Sequence, residues 1–207
     1  MAITKSKLAI ILSKLKVFDA PELESEQYPT DSETAAEVIW NAYLNGDIEG
    51  KNVADFGAGT GILGAGCLLL GAKSVYFVEH DEKAANILKE NMKRIELEIS
   101  KKISYEILNE DISKFNRGVD VVLQNPPFGT KIKHADRDFL LKAFSIADVV
   151  YSFHKTETKG FVEAIAKDNA FRITHLYRFL LPIKAVHKFH KRRIHRVKVG
   201  CWRMERV

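Results

Sequence analysis

Val53-Ala54-Asp55-Phe56-Gly57-Ala58-Gly59-Thr60-Gly61-Ile62-Leu63-Gly64 runs from a short apolar strand, through closely spaced glycines, into a helix-forming segment. Missing side chains let a ligand approach the backbone where it meets the helix N-terminus and its unpaired N–H groups. Gly59-x-Gly61-x-x-Gly64 fits the loose G-x-G-x-x-G string of dinucleotide sites. Asp55 argues for a different ligand. A carboxylate at the strand end repels a pyrophosphate and holds an ammonium group, directly or through water.

On either side, strand and helix patterns alternate. An amphipathic helix is expected over residues 6–17, with Leu8, Ile11, Leu12 and Leu15 on one face and lysines on the other. A proline-bracketed acidic loop, 21–29, should lie over the domain. Thr30 as N-cap with Glu33 three residues on reads as a capping box that opens a helix to about residue 44. Strands are expected over 53–56, 74–79, 103–108, 120–125 and 148–153, with helices over 62–70, 82–95, 137–147 and 156–167. Two last strands, 171–181 and 194–205, close the chain as a hairpin-like pair. This order predicts a Rossmann-like α/β fold: a seven-stranded, mostly parallel sheet with the last strand antiparallel and helices on both faces. One domain, 1–207, is expected, built from N-terminal helices and a covering loop (1–46), a cofactor-binding core (50–155), and a last helix with the strand pair (156–207).

The strand ends carry the chemistry. Glu79 stands about twenty residues past the glycines, where an acid accepts both hydroxyls of a ribose. Asp81, two residues on, competes for that role but opens a helix and is read as an N-cap. Asp111 follows the third strand and can accept from an exocyclic adenine amine while Ile112 packs on the ring. Ammonium, ribose and adenine sites around one turn describe S-adenosylmethionine. The fourth strand ends in Asn125-Pro126-Pro127-Phe128. The prolines hold Asn125 extended with its carboxamide displayed beyond the strand. An exocyclic amine on a nucleobase is a poor nucleophile because its lone pair is delocalised. Accepting its two N–H groups at Asn125 and at the Pro126 carbonyl frees that pair, and Phe128 can stack on the base.

Composition sets the limits. The 207 residues, 46% hydrophobic and 29% charged, suit a globular domain, and apolar runs are too short to cross a bilayer. Neither a signal peptide nor a membrane partner is expected. Cys67 and Cys201 lack a second ligand at metal spacing, so both read as buried thiols of a cytoplasmic protein, with no metal site. The net charge is +5. It concentrates between Lys184 and Arg206, which hold nine Lys/Arg and three His against Glu205 alone. That cluster, beside the loop after the fifth strand, suits a phosphate backbone, while His154, followed by Lys155, reads equally as a satisfied structural histidine with no catalytic part.

Asp55-x-Gly57-x-Gly59-x-Gly61 with Asn125-Pro126-Pro127-Phe128 resembles class I S-adenosylmethionine-dependent methyltransferases of amino nitrogens. Four further blocks, Glu26-Gln27-Tyr28-Pro29-Thr30, Asn125 to Lys131, Tyr151-Ser152-Phe153-His154-Lys155 and Lys188-Phe189-His190-Lys191, resemble the methyltransferase-like protein 5 family over nearly the whole chain. The resemblance implies methylation of N6 of an adenosine in small-subunit ribosomal RNA. It implies cofactor contacts from Gln27, Thr30, Gly57, Thr60, Glu79 and Asp111, added to Asp55, Gly59, Gly61, Ile112 and Asn125, with Asn125, Pro126 and Phe128 at the target base. It also implies a small zinc-binding activator, docked by strand pairing on an edge strand at 103–108. Glu79 stands where that family usually has Asp, and Thr60 where Cys occurs. Alternatives are an N2-guanine rRNA methyltransferase, a protein glutamine N5-methyltransferase, a nicotinamide-dependent dehydrogenase and a catalytically silent RNA-binding module. The basic C-terminus disfavours the protein substrate, and Asp55 with the Asn-Pro-Pro-Phe turn disfavours the dehydrogenase.

Overall fold

The computed structural model describes residues 3–17, 30–99, 103–127, 135–183 and 195–207. Its helices are α1 (Lys5–Leu12), α2 (Ser32–Leu44), α3 (Ile62–Leu69), α4 (Glu82–Glu98), α5 (Ala135–Ile146) and α6 (Lys159–Asp168). Its strands are β1 (Asn52–Phe56), β2 (Ser74–Val78), β3 (Tyr105–Leu108), β4 (Val121–Gln124), β5 (Val149–Lys155), β6 (Phe171–Ile183) and β7 (His195–Arg206). They form one sheet in the order β3-β2-β1-β4-β5-β7-β6. The pairs among β1 to β5 are parallel, and β7 lies antiparallel between β5 and β6. The expected seven-stranded, mostly parallel fold is therefore present, with the last strand inserted rather than added at the edge.

Alternation along the strands divides the interior in two. Val53, Val75, Phe77, Val121 and Leu123 pack under the apolar faces of α1 to α4. Ala54, Phe56, Val78, Val122, Trp202 and Met204 pack under α5 and α6. Period-two side-chain placement produces this, and burial of both faces explains why the central strands β1 and β4 are mostly apolar, with Asp55 and Gln124 the polar residues toward their carboxyl ends.

Local departures from expectation have local causes. Asp31, not Thr30, caps α2: its carboxylate accepts from the Thr34 N–H at 2.9 Å and the Thr34 hydroxyl at 2.7 Å. The ionised acceptor displaces the hydroxyl one residue earlier, and Thr30 turns elsewhere. α1 ends at Leu12, shorter than its apolar spacing implied, although Leu15 beyond it is still buried. β3 begins at Tyr105 rather than residue 103. Gly64 is a packing glycine: a Cβ there would lie 2.2 Å from a Phe77 ring atom, so its absence brings α3 down onto β2.

Candidate active site

Four parallel strands stop on one line. Phe56 pairs with Val78 and with Gln124, and Val78 pairs with Leu108, so the residues that follow them converge at one edge of the sheet. There begin the glycine turn, Glu79, the Asn109–Asp111 corner and Asn125. Ligands of open α/β sheets bind at such carboxyl ends.

The turn is drawn tight by its own backbone. Gly57 and Ala58 both donate to the Val78 carbonyl, at 2.9 and 3.1 Å, and Gly61 donates to the Ala58 carbonyl at 2.8 Å. Gly59 and Gly61 have φ of +56° and +87°, a region that costs any side-chain-bearing residue. Among the described residues, a Cβ on Gly59 would meet only the Gly57 carbonyl oxygen, at 4.0 Å. A Cβ on Gly57 would come within 3.1 Å of Phe139, which closes the turn from the α5 side.

The acids brace this turn before they meet any ligand. Asp55 is 1% exposed and accepts from the Gly64 N–H at 2.8 Å. Burial pushes its carboxyl up to about 8; the Gly64 bond opposes the shift and nearby Glu79 adds to it. Glu79, 2% exposed, accepts from Gly59 at 2.7 Å and from Asp81 at 2.8 Å, one backbone N–H on each oxygen. Each oxygen keeps a second lone pair for a ribose hydroxyl. Asp81 caps α4, accepting from Lys83 and Ala84. Asp111 accepts from Ser113 at 2.9 Å, and its hydrogen bonds to that residue hold its carboxyl below the usual range. It is exposed, beside half-buried Ile112. Thr60 is buried in the turn. Two buried acids beneath a glycine turn suit a cationic, ribose-bearing ligand rather than a pyrophosphate.

Asn125 is half-buried, and its Nδ2 donates to the Thr30 hydroxyl at 3.0 Å, with Pro126 buried beside it. The structure thus joins Thr30, Asn125 and the glycine turn. Gln27 and Phe128, assigned to the cofactor and the target base, lie outside the described residues. So do the 21–29 loop and residues 184–194 of the basic run.

The sequence offers His154 as a structural histidine but discloses neither its partners nor the role of Asn91. Gln124, fully buried, donates from Nε2 to the Ser152 hydroxyl at 3.0 Å, and Ser152 lies 2.7 Å from His154 Nε2. Burial pushes His154 down to about 3, so the ring beside Ser152 is neutral. Asn91, also fully buried, bonds the glycine turn to the N-terminal segment. Its signal was a polar residue on the Leu88/Met92/Ile95 stripe of α4.

The fold and the strand-end constellation define a class I methyltransferase, whose cofactor is S-adenosylmethionine. A family described as Conserved hypothetical protein 95 matches residues 16–168. The rRNA N(6)-adenosine-methyltransferase Mettl5 of Drosophila melanogaster is 35% identical over 96% of this chain and 95% of its own. The crystal structure of a Pyrococcus horikoshii protein, provisionally assigned as an RNA methyltransferase, superposes with a TM-score of 0.87 at 45% identity over 100% of both chains. Magnesium protoporphyrin IX methyltransferase of Synechocystis with bound S-adenosylmethionine shares the fold alone, with a TM-score of 0.67 at 16% identity over 84% of this chain and 79% of its own. The chain belongs to the methyltransferase-like protein 5 family.

Proposed function

We propose that this protein transfers a methyl group from S-adenosylmethionine to the exocyclic N6 amine of an adenosine in small-subunit ribosomal RNA. The observation that carries the reading is Asn125, placed by β4 beside the glycine turn of neighbouring β1 and oriented by Thr30. The likeness to a named rRNA N6-adenosine methyltransferase favours adenine over the N2 of guanine.

The chain's own residues would hold and orient. Asp55 and Glu79, with Gly57, Gly59, Thr60, Gly61, Asp111, Ile112, Gln27 and Thr30, would form the cofactor site. When bound, the cofactor supplies an electrophilic methyl group. The Asn125 carboxamide oxygen and the Pro126 carbonyl would each accept one N–H of the target amine, returning its lone pair to the nitrogen, while Phe128 stacks on the base. No strong base is required, because an alkylated exocyclic nitrogen loses its proton readily to water. Fixed acceptors and in-line positioning supply the rate enhancement.

The test is incubation with labelled S-adenosylmethionine and small-subunit rRNA, followed by digestion to nucleosides. Label in N6-methyladenosine is expected. Label only in N2-methylguanosine overturns the adenine reading, and full activity of Asn125→Ala overturns the mechanism.

A small zinc-binding activator is proposed on β3. That strand is a sheet edge, pairs on one side with β2 only, and exposes Glu106, with exposed Ser104 just ahead of it. Unchanged co-purification after Ser104→Arg with Glu106→Lys would remove this proposal. Two unpaired buried cysteines fit a reducing cytoplasm. Among the described residues no helix is long and apolar enough to cross a membrane.

A further inference from the structure

Asn91 uses its whole side-chain amide on two distant backbone segments. Its Oδ1 accepts from the Lys16 N–H at 2.8 Å, and its Nδ2 donates to the Lys16 carbonyl at 3.0 Å and to the Thr60 carbonyl at 2.9 Å. Lys16 is thereby paired on both sides, as a strand residue would be by a neighbouring strand. The third bond ends on the peptide that links Thr60 to Gly61 at the tip of the glycine turn.

The environment makes these bonds matter. Asn91 is 0% exposed and stands among Leu88, Met92 and Ile95, all 0% exposed, on the inner face of α4. A buried amide persists in such surroundings only if its donors and acceptor are satisfied, and here one oxygen and both N–H groups are in use. Packing alone would favour leucine. Two peptides earlier in the turn, the Ala58–Gly59 peptide is fixed by Glu79, to which the Gly59 N–H donates at 2.7 Å. The turn is thus gripped at two places, by Glu79 from β2 and by Asn91 from α4. Arg94, one helical turn beyond Asn91, donates to the Lys14 carbonyl at 2.9 Å, so the same helix holds the segment that ends at Lys16.

We propose that Asn91 is a positioning residue for cofactor binding. It fixes the Thr60–Gly61 peptide against the Lys16 backbone and so sets the shape of the glycine turn before the cofactor arrives. Asn91 touches no substrate; it acts through backbone that the cofactor contacts. This rests on the reading of the turn as an S-adenosylmethionine site. Loss of its amide therefore weakens the cofactor complex and leaves the methyl-transfer step largely intact once that complex is saturated.

The experiment measures S-adenosylhomocysteine binding by calorimetry, together with cofactor KM and kcat, for wild type, Asn91→Leu, Asn91→Asp and Met92→Ala. Asn91→Leu keeps the branched outline and the number of heavy atoms and loses all three bonds. Asn91→Asp keeps the acceptor for the Lys16 N–H and loses the bond to Thr60, so it serves if the leucine variant does not fold. Met92→Ala damages the same helix from a buried position and leaves all three Asn91 bonds in place. The expected result is a Kd and a cofactor KM raised at least tenfold in each folded Asn91 variant. Their kcat should stay within about threefold of wild type, and Met92→Ala should bind within about twofold. Asn91 variants that bind within twofold of wild type, or an equal loss of binding in Met92→Ala at matched melting temperature, overturn the proposal. Failure of the wild-type protein to bind S-adenosylhomocysteine overturns the cofactor reading itself, and the role of Asn91 falls with it.

Discussion

Asn125 Nδ2 donates to the Thr30 hydroxyl at 3.0 Å, across ninety-five positions of sequence. The bond commits the nitrogen end of the carboxamide to the residue just ahead of the α2 cap and so defines which end is the acceptor. A carboxamide presented backwards would offer the target amine two N–H groups in place of an oxygen. Thr30→Val keeps the shape and removes the acceptor. A hydrogen bond worth about 1 kcal/mol, spent on orientation, corresponds to about a fivefold fall in kcat. Thr30→Ser should restore most of it, and Asn125→Ala should lose at least about a hundredfold. Single-turnover rates at saturating cofactor read both effects.

Asp55 gives the cofactor site a pH dependence. Its carboxyl, raised from 3.8 to about 8, retains a proton in the native state at pH values where the unfolded chain has lost it. The native state then binds more protons than the unfolded one, so this residue costs stability increasingly as pH rises from about 4 to about 8 and no further above that. Asp55→Asn should therefore gain stability on wild type progressively across that window, read as a rising difference in urea midpoint. If Asp55 holds the cofactor ammonium, binding favours its ionised form and releases a proton below pH 8. Affinity of the wild type for S-adenosylhomocysteine should rise between pH 6 and 8 and be flat in Asp55→Asn. Calorimetry in buffers of different ionisation heat counts the proton.

His154 should show the opposite sign. Burial lowers it from 6.5 to about 3, so below pH 6.5 the unfolded chain takes up a proton that the native state refuses. Stability conferred by the neutral ring is present above 6.5 and is lost as pH falls toward 3. His154→Gln should flatten the acid limb of a urea midpoint-against-pH curve. His154 should contribute no step near pH 6.5 to the activity profile, because it stays neutral beside Ser152.

These residues show what the sequence could and could not disclose. The glycine turn and the Asn-Pro-Pro stop were legible because each imposes a local backbone requirement, and the mostly parallel α/β sheet followed from the alternation of strand and helix. Glu79 was legible by position, but not its bonds to Gly59 and Asp81, since a carboxylate that braces a turn has the same spacing as one that meets a ribose. The Thr30 capping box misled because Asp31 is the stronger acceptor one residue on. Asn91 and the Gln124–Ser152–His154 chain were invisible because their partners are brought together by β4–β5 pairing and by the packing of α4, not by proximity in sequence.

The β6–β7 hairpin supplies the remaining prediction. β5 pairs with β7 only as far as Lys155 opposite Val199, whereas β6 and β7 stay paired on to Ile183 opposite His195. The hairpin therefore runs beyond the end of β5, on the side of the sheet where the active site lies. Arg178 pairs with Gly200, Leu180 with Lys198, and Arg196 precedes Lys198 by two, so the three exposed cations share one face with exposed Leu180. Cations arrayed on a rigid ribbon neutralise phosphates without reading bases. Replacing Arg178 and Lys198 by glutamine should weaken rRNA binding about equally for any sequence and leave S-adenosylhomocysteine affinity unchanged. The slope of log K against log salt should fall by about 0.7 for each single-strand phosphate that is no longer neutralised. A filter-binding titration over a range of salt concentrations measures it. An unchanged slope in the double variant would move the RNA path off this face of the hairpin.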